Sequence, residues 1–218
     1  MYLIRLNIFN MKFLRFLFSF LLPFLVLSCD SDDKITKEDA DHNIATEARQ
    51  FLTGDIVLGA HATMNGVSKT LLPEGCPTKF NFNWSDKDDD KFTISLRNFT
   101  VGVMPLKINF SCEVKVMQLN SWEKDEYKGS GWFKFYGTDG QVSGEDNAGT
   151  PSQANGSSVK GYFNADTHEI NFIVNYNMMN VRSECFLQTV DKSRINRFEQ
   201  EFAQYEKDLA KYKEEHGL

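Results

Sequence analysis

The apolar residues of this chain return at every second position through run after run between residues 55 and 190. Ile170, Phe172, Val174, Tyr176 and Met178 alternate with Glu169, Asn171, Asn175 and Asn177. Phe80, Phe82 and Trp84 alternate with Asn81, Asn83 and Ser85, and Phe92, Ile94 and Leu96 with Thr93, Ser95 and Arg97. Ile108, Phe110, Cys112, Val114 and Val116 form another series, and Phe133 and Phe135 another. Successive side chains of a strand point to opposite faces. Strict alternation therefore means one buried and one wet face, the mark of antiparallel sheets.

The punctuation between the runs agrees. Asp86-Lys87-Asp88-Asp89-Asp90, Thr138-Asp139-Gly140 and Asn164-Ala165-Asp166-Thr167 each separate two strand-like runs. Phe99, Val101 and Val103 either continue one strand or begin another before Pro105. Val181 to Val190 is a further strand candidate, and the Gly-, Ser- and Asn-rich segment from Ser143 to Ser158 predicts a mobile loop. Roughly eight to ten strands at this spacing predict a mainly β domain, a barrel or a sandwich.

Helical spacing replaces the alternation at both ends. Thr36-Lys37-Glu38-Asp39 has the hydroxyl cap and first-turn acids of a helix start, and Ile44, Ala48, Phe51 and Leu52 follow at helical intervals up to Gly54. Ile195, Phe198, Phe202, Tyr205, Leu209 and Tyr212 make one apolar stripe. A stripe of barely three heptads predicts a helix packed on the β-domain rather than a coiled coil. The layout of a β-domain followed by a helix, across residues 54–215, resembles the calycins, which include the lipocalins. It is also similar to small calycin-like surface lipoproteins of Bacteroidota. That resemblance implies a barrel able to hold a small ligand. Gly54-Asp55-Ile56 stands where lipocalins carry Gly-x-Trp.

The front of the chain is a different object. Arg5, Lys12 and Arg15 precede an uncharged apolar run from Phe16 to Ser28, and Cys29 closes it. The run is too short for a transmembrane helix, which needs about 20 apolar residues, and has the order of an export signal. Met11 would serve as a start as well as Met1. The segment resembles bacterial lipoprotein signals, which implies cleavage before Cys29 and acylation of its thiol and amine. Two or more acyl chains anchor a protein stably, so the expected location is the cell envelope, at the outer membrane. Asp30, Ser31, Asp32 and Asp33 resemble the acidic signal of surface-exposed lipoproteins. The expected organisation is a signal peptide at 1–28, an acidic tether at 29–35, a short helix at 36–53, the β-domain at 54–190 and the packed helix at 191–218.

Removing a leader that holds three basic residues and no acid takes the net charge from −6 to −9. Nucleic acid is not expected as a partner of so acidic a chain, since binding it requires Lys and Arg to neutralise phosphates. Cys76, Cys112 and Cys185 remain after Cys29. In an exported protein Cys76 and Cys185 are the favoured disulfide, and three buried thiols are the alternative.

No catalytic motif is present. Asp86, Asp88 and Asp90 have the spacing of a calcium loop, but Lys91 and Arg97 stand where its glycine and bidentate acid belong. His42, His61, His168 and His216 are scattered, so no metal site and no cofactor are expected. There is no Gly-x-Ser-x-Gly, and Asp166 and Glu169 flank a turn. Most aromatic residues sit on strand faces that a core would bury. Trp122 and Tyr127 are the exceptions, lying in a charged turn from Ser121 to Ser130, and are the candidate ligand or rim aromatics. The expected function is binding rather than catalysis: a lipid-anchored envelope protein whose β-domain takes a small apolar or glycan ligand. The alternative is a structural or adhesive module acting by protein contact, through the terminal helix or the Ser143–Ser158 segment.

Overall fold

Each alternating run becomes a strand, and the strands close on themselves. A computed structural model describes residues 45–100, 106–146 and 151–218. The leader, Cys29, the acidic tether and the start of the first helix lie outside the described residues. The strands are β1 (Gly54–Met64), β2 (Val67–Ser68), β3 (Cys76–Trp84), β4 (Lys91–Phe99), β5 (Leu106–Met117), β6 (Trp132–Asp146), β7 (Pro151–Asn164), β8 (Glu169–Asn175) and β9 (Val181–Thr189). All neighbours are antiparallel, and β1 pairs with both β3 and β9. Eight strands thus form a closed barrel, with β2 as a short appendage on β1. Closure removes the exposed edges that an open sheet must otherwise protect.

The alternating apolar residues fill the interior. Phe80 and Phe82 on β3 reach Phe172 on β8 at centroid distances of 5.0 and 6.4 Å. Phe92 on β4 meets Phe135 on β6 at 5.5 Å, and Phe135 meets Phe172 at 6.1 Å. Rings from non-adjacent strands therefore touch across the barrel. Gly161 makes room for them: a Cβ there would fall 2.3 Å from Phe135 Cζ and 2.4 Å from Phe172 Cβ. One end is plugged by helix α1 (residues 45–51), whose Ala45 and Ala48, with the following Leu52, are fully buried in the same core. Trp84 Nε1–H donates to the Leu52 carbonyl and fixes that plug to β3.

After β9 a 3-10 turn (Lys192–Arg197) leads into α3 (Phe198–His216), which packs outside the barrel on β3. Lys79 Nζ lies 4.5 Å from the Phe198 ring centroid, and Tyr205 is the buried residue of the stripe. Gly217 ends the helix in the left-handed conformation. Among the described residues no helix is long and apolar enough to cross a membrane.

Two expectations are corrected. Within the segment expected as a loop, residues 143–146 belong to β6 and 151–158 to β7. The segment is rich in small and polar residues, so the apolar alternation that reveals the other strands is absent from its sequence. Cys76, Cys112 and Cys185 are buried and free. Cys76 pairs in register with Ala60 of β1, and β1 separates β3 from β9, which carries Cys185. Two strand spacings put the pair about 10 Å apart, beyond the reach of a disulfide, whose Cα atoms must lie within about 7 Å. Burial pushes the Cys76 and Cys112 thiols up to about 11 and Cys185 well above its ordinary value. None is an activated thiol.

Candidate functional site

The β5–β6 connection supplies one wall of a cleft on the outer surface of the barrel. Its short helix, α2 (Ser121–Glu126), begins with a reciprocal cap. Asn120 Oδ1 accepts from the Glu123 N–H at 3.0 Å, and Glu123 Oε2 accepts from the Asn120 N–H at 2.9 Å. Glu123 is only 1% exposed. It also takes hydrogen bonds from Lys134 Nζ at 2.8 Å and Tyr162 OH at 3.0 Å, while Lys160 Nζ stands 3.9 Å away. Burial by itself would raise the Glu123 carboxyl. The hydrogen bonds from Lys134, Asn120 and Tyr162 outweigh it and hold the group below its ordinary value. Glu123 thus staples α2 to β6 and β7 and fixes the residues on either side of it.

Those residues are Trp122 and Tyr127. The Tyr127 ring stacks on Tyr162 at 4.1 Å and 19°, and meets Trp132 at 4.9 Å. Asn171 Nδ2 donates to Tyr127 OH at 3.0 Å. Burial is the main cause that raises both phenols, Tyr127 and Tyr162, so both remain protonated near neutral pH. Trp122 stays 57% exposed, and Lys160 Nζ sits 5.4 Å from the centroids of Trp122 and Tyr162 alike.

The opposite wall comes from β9. Phe172 pairs with Cys185 and Ile170 with Gln188, so the two residues Phe186 and Leu187 face the single residue Asn171. This is a β-bulge, and it turns two consecutive apolar side chains to solvent, 52% and 55% exposed. Gln188 secures the bulge by donating Nε2–H to the Gly59 carbonyl at 3.0 Å while its Oε1 accepts from the Gly59 N–H at 2.8 Å. The result is a cleft of about 350 Å³ between Trp122 and Tyr127 on one side and Phe186 and Leu187 on the other. Tyr162 and Ile173 form its floor, and Lys160, Asn171, Glu126 and Glu184 bring polar groups to it.

The structure therefore brings together the two aromatics singled out in the sequence. It adds Tyr162, Lys160, Asn171, Phe186 and Leu187, which sequence reasoning missed. The adjacent Phe186-Leu187, breaking alternation inside a strand, was the readable signal. The Asp86–Asp90 turn holds ion pairs instead of a site: Lys91 with Asp88 and Lys115 with Asp90, each at 3.0 Å, and Arg49 with Asp89 at 3.7 Å. Among the described residues no group of three or more His, Cys, Asp or Glu is placed to hold a metal ion.

Residues 29–217 match the model of a family described as a domain of unknown function, DUF4903, so the chain belongs to that family. No curated protein and no solved structure matches it.

Proposed function

We propose that this DUF4903 domain is a carbohydrate-binding module held at the outer membrane by acylated Cys29, with its ligand in the cleft between α2 and β9. The observation that carries the reading is the exposed aromatic cleft. Trp122, Phe186 and Leu187 are large apolar side chains left open to water on one small surface, beside Asn171, Lys160 and two carboxylates. Exposed apolar patches rimmed by polar groups mark binding sites. A sugar ring offers an apolar C–H face and an equatorial fringe of hydroxyls. Trp122 and Tyr127 would cover the face, and Asn171, Glu126 and Glu184 would take the hydroxyls. The filled barrel interior favours this outer cleft over the lumen as the ligand site. The Tyr162 hydroxyl does contact a carboxylate, but that carboxylate, Glu123, is committed to the contacts that hold α2, which favours binding without turnover.

The test is a printed array of neutral oligosaccharides probed with the full-length protein, followed by titration of the best binder against tryptophan emission. Binding to at least one neutral glycan is expected, with loss in Trp122→Ala. An array that stays blank, or a Trp122→Ala protein that binds as well as wild type, overturns the reading. The family match begins at residue 29, where the mature chain would begin, which supports the anchor. Cys29→Ala should abolish acyl labelling and release the protein from the membrane fraction. A mutant that still labels and sediments like wild type removes the anchor from the proposal.

A further inference from the structure

We infer a second binding site, for an anionic oligosaccharide, on the outer face of β4–β7 around Arg97. It does not depend on the aromatic cleft. This groove encloses about 430 Å³ and shares no lining residue with that cleft. Its lining is laid out by strand register. Ser95 pairs with Ser111, Ser111 with Gln141, and Gln141 with Asn155, giving one row across four strands. One step along, Asn109 pairs with Ser143 and Ser143 with Gln153. With strands about 4.8 Å apart, each row presents a hydroxyl or amide about every sugar-ring length.

Two bulges make the groove. In β4, Arg97 and Asn98 are both exposed between buried Leu96 and Phe99, so the strand slips by one residue. Asn98 takes a positive φ of 54°, and its N–H donates to Asn109 Oδ1 at 2.9 Å, which locks the slip and sets Arg97 at the end of the second row. In β7, Gly156 at φ +78° is the extra residue between Asn155, opposite Gln141, and Ser157, opposite Gly140. That slip lets Gln153 and Asn155 face out on the same side as Lys160 and Tyr162. Bulges that re-aim side chains in this way concentrate beside binding sites.

The charge pattern gives the ligand class. The chain carries 30 acidic residues, yet among the described residues no acidic side chain lines this groove. Among the described residues Arg97 has no ion pair, whereas Arg49, Lys91 and Lys115 around the Asp86–Asp90 turn each have one. A guanidinium offers planar, forked donors suited to a carboxylate or a sulfate. Seven neutral amides and hydroxyls beside it suit the hydroxyls of a polysaccharide, and the absence of an aromatic platform distinguishes this site from the cleft. The shared chemistry is a saccharide chain bearing one anionic group per ring or two.

Three ligands test this against the full-length protein by calorimetric titration: trigalacturonate, its neutral methyl ester and a κ-carrageenan tetrasaccharide. The uronate or the sulfate ester should bind, and the responding one identifies the anion. Affinity should fall about tenfold or more in Arg97→Gln and in Asn155→Ala, and should weaken as salt screens the pair. The neutral ester should bind correspondingly worse than the uronate if the uronate is the ligand. Trp122→Ala should bind the acidic ligand like wild type. The inference fails if neither acidic ligand binds, or if Arg97→Gln and Asn155→Ala both bind like wild type. It also fails if Trp122→Ala, not Arg97→Gln, removes the acidic ligand, which would assign all binding to the aromatic cleft and leave the proposed function standing.

Discussion

Trp84 and Trp122 stand on the two sides of one barrel wall and show how differently the wall uses the same side chain. Trp84 is 6% exposed, lies 4.7 Å from the Phe92 ring and donates its indole N–H to the Leu52 carbonyl of the plug. Its surface is spent on stability. Trp122 is 57% exposed, and its neighbour is the Lys160 ammonium rather than another core ring. The inner side of the wall satisfies every ring by packing. The outer side keeps an aromatic open and organises polar groups around it. Function in this fold is therefore expected on the outside, where removing a ring leaves the fold intact.

The sharpest test of that contrast is Trp84→Ala. Loss of a buried aromatic costs about 3–5 kcal/mol, and here it also unpairs the Leu52 carbonyl and frees the plug. Denaturant unfolding should show a large drop in midpoint. A drop no greater than that of a surface substitution would mean that the interior is not packed as described. Gly161→Ala examines the same interior from the opposite direction. The added methyl meets Phe135 and Phe172 at well under contact distance, so overpacking should cost about 1–3 kcal/mol. A neutral or stabilising result would reveal unused space in the barrel and restore the lumen as a ligand site.

Glu123 joins the two sides, since it is buried yet holds the exposed wall of the cleft. Glu123→Gln removes the charge from Lys134 and weakens the α2 cap. Leaving such partners unmatched costs about 1–3 kcal/mol, and cleft binding should weaken with it as Trp122 and Tyr127 lose their footing. The pH dependence has a definite sign. The folded carboxyl is held below its ordinary value by its hydrogen bonds, so its stabilisation is fully present above the ordinary carboxylate range. It is lost as pH falls toward and through the lower folded value. The gap in unfolding free energy between wild type and Glu123→Gln should therefore close on acidification. A gap that is constant from neutral pH downward would contradict the network.

Much of the inner side was legible in the sequence. Alternation placed Phe80, Phe82, Ile94, Phe135 and Phe172 on one face, because a strand facing water on one side must alternate. It could not distinguish a barrel from a sandwich, because closure depends on β1 pairing with β9, about 120 residues away. The outer side was less legible. Trp122 and Tyr127 stood out because no core pattern claimed them. Phe186 and Leu187 were hidden inside a strand, and Gln153 and Asn155 inside what reads as a loop. Both losses have one cause: a bulge shifts the period by one residue, at Phe186-Leu187 in β9 and at Gly156 in β7. The sites lie where the pattern breaks.

The smallest effect on stability and the largest on function should come from Trp122→Ala. Its ring is mostly in water and contributes no core contact, so its removal should change stability by no more than about 0.5 kcal/mol. The Glu123 staple, the Asn120 cap and the Tyr127–Tyr162 stack all survive the substitution, so the cleft keeps its shape and loses one face. Urea unfolding together with glycan titration separates the possibilities. Unchanged unfolding with lost binding places Trp122 at the ligand. A destabilisation comparable to Trp84→Ala would instead make the ring part of the packing, and the division between a structural inside and a functional outside would not hold at α2.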